Sequence, residues 1–193
     1  MDIDIAKLLK RVRGGDAMAA QELVQSYHSE IFRLALSILD DPAEAEDITQ
    51  DVFIAAIQAL DSYRGESAFK TWLFSITVNV CRRRWRQRKT RERLMQVLQS
   101  IFPFGAGSLH PEEVLIRREN RAELWKAVDG LDEKYRLPLT LFYGNELPVA
   151  EIAQVLDIPV GTVLSRLHTA REHLAVTLGN EQEIDIHYEV SEP

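Results

Sequence analysis

The sequence predicts an all-α protein: two small helical domains joined by a flexible linker, the second domain a helix-turn-helix. Three observations predict it. Apolar residues recur at helical spacing along most of the chain, and strand alternation is almost absent before the C-terminus. The stretch 94–111, "LMQVLQSIFPFGAGSLHP", holds no Lys, Arg, Asp or Glu, and Pro103, Gly105, Gly107 and Pro111 break any helix there. Finally, "LPVAEIAQVLDIPVGTVLSRLHTAREHL", from Leu147, sets a short helical pattern, a tight break and a longer helical pattern in succession.

The elements follow in order. A first helix is predicted over Asp4–Arg13, closed by Gly14-Gly15, and a second from Ala17 to Leu39. "DDPAEAED" starts a third. Asp41 can cap it, Pro42 suits the first helical position, and Glu44 suits the positive end of the helix dipole. That helix reaches Leu60. A turn at "DSYRGES" leads to a fourth, over Ala68–Leu94. The linker is placed at 98–111, between a first domain at 1–97 and a second at 112–179. Its alternative reading is an ordered apolar loop packed on one domain through Phe102 and Phe104. Further helices are predicted at Glu112–Asp129, Glu133–Tyr143, Val149–Leu156 and Val160–Leu178.

In the second domain Asp157-Ile158-Pro159 makes the tight break, and Ala153 is small where two helices must cross closely. On the last helix Val163, Leu167, Ala170 and Leu174 fall at i, i+4, i+7 and i+11, one buried stripe. Thr162, Ser165, His168 and Thr169 point away from it. A helix-turn-helix places such residues in the DNA major groove. An ordinary helical hairpin is the plainer reading of the same pattern.

Charge is distributed unevenly. The net charge of the 193 residues is −7, yet residues 64–93 carry ten basic and two acidic side chains, and both flanks are acidic. Between Arg82 and Arg93 stand eight Lys or Arg and one acid, on a helical pattern. An internal basic block of this kind points to a local contact with a polyanion. On that helix Phe69, Leu73, Ile76 and Val80 form one apolar stripe, and Phe74, Val78, Cys81 and Trp85 another. Trp72, Asn79, Arg83 and Arg86 share a third face. Arginines there would hold phosphates, Trp72 would stack on an unpaired base, and Asn79 would read a base edge. The plainer roles are a core tryptophan and a solvated asparagine. On the preceding helix Glu44, Asp47 and Asp51 lie at i, i+3 and i+7 beside Gln50. Asp51 lies too far along to answer the helix dipole, so a basic protein partner competes with a solvated face.

Other classes find little support. One cysteine, Cys81, permits no disulfide framework. His28, His110, His168, His173 and His187 have no ligand spacing, and neither a nucleophile motif nor a Gly-rich phosphate loop occurs. The expectation is therefore a protein that is not an enzyme, with no cofactor and no metal. Without a signal-like or membrane-spanning segment, it is expected in the cytoplasm.

The order "EDITQDVFIAAIQALDSYRGESAFKTWLFSITVN", then arginines, a linker, and "LPVAEIAQVLDIPVGTVLSRLHTAR" resembles the extracytoplasmic-function sigma factors of bacterial RNA polymerase, over nearly the whole chain to residue 179. The resemblance implies a factor that binds core polymerase and directs initiation at promoters. A free-standing helix-turn-helix regulator is the alternative. Asp47, Gln50, Asp51 and Phe53 match positions that bind the β′ clamp helices. "YRGESAFKTW", with Arg64, Ser67, Phe69, Lys70 and Trp72, resembles the loop that captures a flipped base of the −10 element. Asn79, Arg82, Arg83 and Arg86 resemble the face that opens the duplex there. Thr162, Leu164, Ser165, Arg166, His168, Thr169 and Arg171 lie on the counterpart of the −35 reader. The resemblance also implies a β flap contact, a linker in the RNA exit channel, and an anti-sigma partner that can hold the protein at the inner membrane.

The chain departs from the family pattern in three places. Leu164 and Thr169 replace two arginines of the common "VGTVRSRLHRAR". The linker lacks acids. The tail 180–193, with five acids and no Lys or Arg, is longer than the pattern needs. Within it Ile184, Ile186, Tyr188 and Val190 alternate with polar residues, so a docked acidic segment that masks Arg82–Arg93 competes with a disordered tail.

Overall fold

The computed structural model describes residues 4–101 and 127–178, with the backbone alone between 88 and 101. The expectations for the linker beyond Ile101, for most of the helix at 112–129 and for the acidic tail lie outside the described residues.

The first three helices begin where the sequence supplies a cap. Asp4 accepts from the Lys7 amide at the start of α1 (Ile5–Arg13), which buries Leu8, Leu9 and Val12. Asp16 accepts from the Met18 and Ala19 amides to open α2 (Ala17–Leu39). These bonds, and then the Arg11 guanidinium, hold its carboxyl below the ordinary value. Between the two helices Gly15 takes a φ of +82°, a conformation few L-residues adopt. Asp41 caps α3 (Pro42–Ala59) through the Ala43 and Glu44 amides, with Pro42 in the first turn, as the sequence predicts. Loss of such a cap costs about 1 kcal/mol.

A 3-10 turn at Leu60–Ser62 follows, then α4, Phe69–Ile101. Within the described residues this helix runs past the predicted end at Leu94, as far as Ile101. Both predicted apolar stripes turn inward: Phe69, Leu73, Phe74, Val78 and Cys81 are buried, and Ile76, Val80 and Trp85 are half-buried. Helices α2, α3 and α4 pack on one another around Leu23, Ile31, Leu34, Ile48, Val52 and Leu73, and α1 closes one end.

The second domain begins, among the described residues, with a last turn that buries Ala127 and Val128. Helix α5 (Glu133–Leu139) loosens into a π turn at Thr140–Gly144, two residues after Pro138, whose nitrogen has no proton to donate. Helix α6 (Val149–Leu156) ends on Asp157 with φ +53°, and α7 (Val160–Leu178) follows. Val163, Leu167, Ala170 and Leu174 are its buried residues, the predicted stripe. No strand occurs among the described residues.

The two domains touch. Helix α4 packs against α6, and the π turn packs against α2. Asn145 Nδ2 donates to Ser37 Oγ at 2.9 Å, and Gly144 lies close against the same serine.

Candidate nucleic-acid and polymerase interface

The segment between α3 and α4 is shaped by tethers to distant parts of the first domain. Arg13 donates through one Nη2 to the carbonyls of Leu60 and Tyr63, at 2.9 Å each. The Tyr63 hydroxyl donates to the Ser67 carbonyl at 2.8 Å and bridges the turn at Gly65 (φ +78°). Tyr63, Phe69 and Trp72 then form a ring cluster with centroids 5.2–5.4 Å apart. Arg64 is exposed, Ser67 and Trp72 are half-buried, and Lys70 is paired with Glu30 at 2.8 Å. Phe69 is 4% exposed. It was predicted to touch DNA, but in this conformation its ring is part of the core, because Tyr27 and Tyr63 both pack edge-on against it.

Helix α3 presents Asp47, Gln50 and Asp51 to solvent, together with Ile54 and Ile57. Phe53, predicted on the same binding face, is 5% exposed and packs inward with Val52 and Ala56. A helix cannot show every residue of one turn to a partner, and Phe53 falls on the core side of this one.

Between α3 and α4 runs a groove of about 560 Å³. Asp51, Ile54 and Gln58 contribute from α3, and Asn79, Arg83 and Gln87 from α4. The sequence treats the acidic face and the arginine face as separate surfaces; the structure makes them the two walls of one trough. Asn79 and Arg83 are exposed.

Arg82 and Arg86 turn elsewhere. Arg82 Nε lies 2.9 Å from Glu133 Oε1, and Arg86 Nη2 lies 3.3 Å from the same oxygen. The Arg82 contact is an ion pair rather than an aligned hydrogen bond, since its buried Nε finds no acceptor along the N–H direction. One turn further along α5, the Arg136 guanidinium sits 4.1 Å from the centre of the Trp85 ring and 3.0 Å from Asp129. Burial pushes the Arg136 pKa down, and Asp129 and then Glu133 oppose that shift. Glu133 and Arg136 were missed by sequence reasoning, and Tyr63 was placed in the loop without its tethering role. A first-turn glutamate and a loop tyrosine carry no local signal of a partner far along the chain.

On α7 the outer face carries Leu164, Ser165 and His168, all exposed, with Thr162, Arg166, Thr169 and Arg171 half-buried. His168 Nε2 is 3.3 Å from Glu172 Oε1, and Arg171 Nε donates to the Tyr143 hydroxyl at 2.9 Å. The spread of residues suits a surface that lies along a groove, with Leu164 (40% exposed) as an apolar element in it.

Among the described residues no group of His, Cys, Asp or Glu could hold a metal ion, and no helix is long and apolar enough to cross a membrane. Cys81 is buried, and burial pushes its thiol up to about 12.

Comparison with known proteins places both halves. The family model for sigma-70 region 2 matches residues 23–91, and that for sigma-70 region 4 matches residues 121–174. The ECF RNA polymerase sigma factor SigW of Bacillus subtilis is 34% identical over 180 residues, 90% of this chain and 96% of its own. RNA polymerase sigma-H factor of Pseudomonas aeruginosa is 36% identical over 172 residues, 86% of this chain and 89% of its own. ECF RNA polymerase sigma-E factor of Escherichia coli K12 is 33% identical over 171 residues, with the same two shares. Two solved structures share the fold at 24% identity. CnrH, in complex with the cytosolic domain of CnrY, superposes with a TM-score of 0.61 over 90% of this chain and 96% of its own. RpoE of Bartonella quintana, in complex with the anti-sigma factor NepR, gives 0.58 over 84% and 98%.

Proposed function

The chain belongs to the sigma-70 family of RNA polymerase sigma factors, in its extracytoplasmic-function group, and directs promoter-specific transcription initiation; from that premise we propose which of its surfaces does which part of the task. The observation that carries the reading is the trough in which Asp51 on α3 stands across from Asn79 and Arg83 on α4. Polymerase and opened promoter DNA meet at such a junction, since one wall is acidic and the other basic.

The outer face of α3, with Asp47, Gln50 and Asp51, binds the β′ clamp helices of core polymerase, and Phe53 keeps that face rigid from inside. Next to it, Arg64, Ser67, Lys70 and Trp72 receive the unpaired −10 strand. Their backbone is pre-shaped by Arg13 and Tyr63, so little ordering entropy is lost on capture. Trp72 supplies a stacking platform, Asn79 a donor–acceptor pair for a base edge, and Arg82, Arg83 and Arg86 the cations for phosphates.

Thr162, Leu164, Ser165, Arg166, His168, Thr169 and Arg171 face the −35 element, with the second domain held on the β flap. The protein performs no chemistry of its own: it acts in the cytoplasm by binding, and an anti-sigma factor is its antagonist. RpoE, which shares the fold, is complexed with the anti-sigma factor NepR, which supports that partner.

The decisive experiment is run-off transcription with purified core polymerase and a promoter selected from a random library. Transcripts with a uniform start that depend on added protein are expected. A free-standing regulator would bind DNA without conferring initiation on core alone, and that result would overturn the reading.

A further inference from the structure

Arg171 continues the outer face of α7. It stands seven residues after Leu164 and three after His168, so helical spacing sets all three on one side. With a rise of about 1.5 Å per residue, it lies about 10 Å beyond Leu164 along the axis. A recognition helix reads bases with its first turns, and the major groove is about 12 Å wide. Arg171 therefore reaches the flank of the groove, where the phosphates run, rather than a base edge.

A second side chain stands beside it. Tyr143, in the π turn before α6, is 43% exposed. Its hydroxyl accepts from Arg171 Nε at 2.9 Å. The guanidinium carbon is 5.9 Å from the Tyr143 ring centre, against 4.1 Å for Arg136 over Trp85. The longer distance is that of an approach to the hydroxyl end of the ring, not of a stack on its face. Phe142 packs edge-on against the ring at 4.9 Å and braces it, while the bond at Nε fixes the plane of the guanidinium. Because the hydroxyl oxygen already accepts, its own proton is left to donate, and no acceptor among the described residues takes it. An oxygen that accepts from a cation polarises its O–H, which becomes a stronger donor to an anion.

We propose that Tyr143 and Arg171 form one phosphate-binding pair on the flank of the −35 duplex. Arg171 neutralises the phosphate, and Tyr143, which lies outside the predicted set of −35 residues, donates its hydroxyl proton to the same group. The pair rests on the assignment of the outer face of α7 to −35 DNA. It fixes the register of the duplex and carries no base preference, since phosphates are alike at every step. Its two members leave different signatures: Arg171 releases a counterion, and the neutral phenol releases none.

The test uses the full-length protein bound to core polymerase and a labelled promoter duplex that contains the −35 element. Anisotropy titrations across a salt series compare wild type with Tyr143→Phe, Arg171→Ala and Ser165→Ala, and circular dichroism checks that helicity is kept. Tyr143→Phe keeps the ring and removes only the hydroxyl. It is expected to lose about tenfold in affinity, the scale of one hydrogen bond to a charged group. The loss should be the same on every single-base variant of the −35 element, with the salt slope unchanged. Arg171→Ala is expected to flatten the slope by about one. A methylphosphonate scan should find one position where the neutral linkage weakens wild type more than Tyr143→Phe, the mark of a shared contact. Wild-type affinity in Tyr143→Phe, with Arg171→Ala weakened, overturns the pair, as does a scan with no such position. A slope flattened by Tyr143→Phe overturns the direct contact and leaves Tyr143 only to position the guanidinium. A loss that varies with the base pair overturns the phosphate assignment. If neither Arg171→Ala nor Ser165→Ala changes affinity, the −35 assignment of α7 fails and takes the pair with it, so the two failures are distinct.

Discussion

The guanidinium of Arg136 lies 4.1 Å from the centre of the Trp85 ring, and this stack fastens the second domain to the basic helix of the first. Arg136 is 4% exposed, so the cation is shielded from water and the ring face replaces part of its lost hydration. Trp85→Ala is expected to lower stability by about 2 kcal/mol, the scale of a desolvated cation–π contact. Urea denaturation followed by circular dichroism measures it. An unchanged midpoint would show that the stack contributes nothing.

Asp51 is exposed in the middle of α3, beyond the reach of the helix dipole, and lines the trough with Asn79 and Arg83. Asp51→Arg is expected to weaken binding to core polymerase by tenfold or so, about 1.4 kcal/mol, with helicity unchanged. A pull-down titration decides it, and equal affinity would remove Asp51 from the interface.

Promoter binding should be steeply salt-dependent. If about five arginines of the basic helix neutralise duplex phosphates, log K falls with log salt at a slope of about −4 to −5. Replacing Arg83 and Arg86 by alanine is expected to flatten that slope by roughly one to two. Arg86 is already paired with Glu133, so its own effect should be the smaller of the two at low salt. A slope that does not move means the side chains are merely solvated.

Leu164 is 40% exposed on the outer face of α7. An apolar side chain can meet a thymine methyl but makes no contact with phosphate or guanine. Leu164→Arg in the full chain is therefore expected to strengthen binding to random-sequence duplex by up to about tenfold, as one added charge-assisted contact would. Fluorescence anisotropy reads this, and no gain would place residue 164 away from DNA.

The features legible in the order of residues are local ones. Asp41 followed by Pro42 opens α3 because a carboxylate can reach amides two and three residues ahead and proline needs no donor there. Val163, Leu167, Ala170 and Leu174 are buried because helical spacing alone aligns them. The exposure of Asp47, Gln50, Asp51, Asn79 and Arg83 follows from the same periodicity, so much of the candidate interface was legible before any coordinates.

The remaining features depend on how the helices pack. The sequence placed Phe53 and Phe69 on binding faces, but a helix face is a range of angles, and the neighbouring helices take up both rings. The turn at Gly65 is set by Arg13 and Tyr63, whose bonds span distances in sequence that no local pattern encodes. Above all, the basic block announced an anion without naming it. With thirty acidic residues in the chain, charge alone cannot select Glu133. Its selection depends on where α5 comes to rest against α4, and that is fixed by the packing of Trp85 with Arg136 and of Ser37 with Asn145, contacts between residues far apart in sequence.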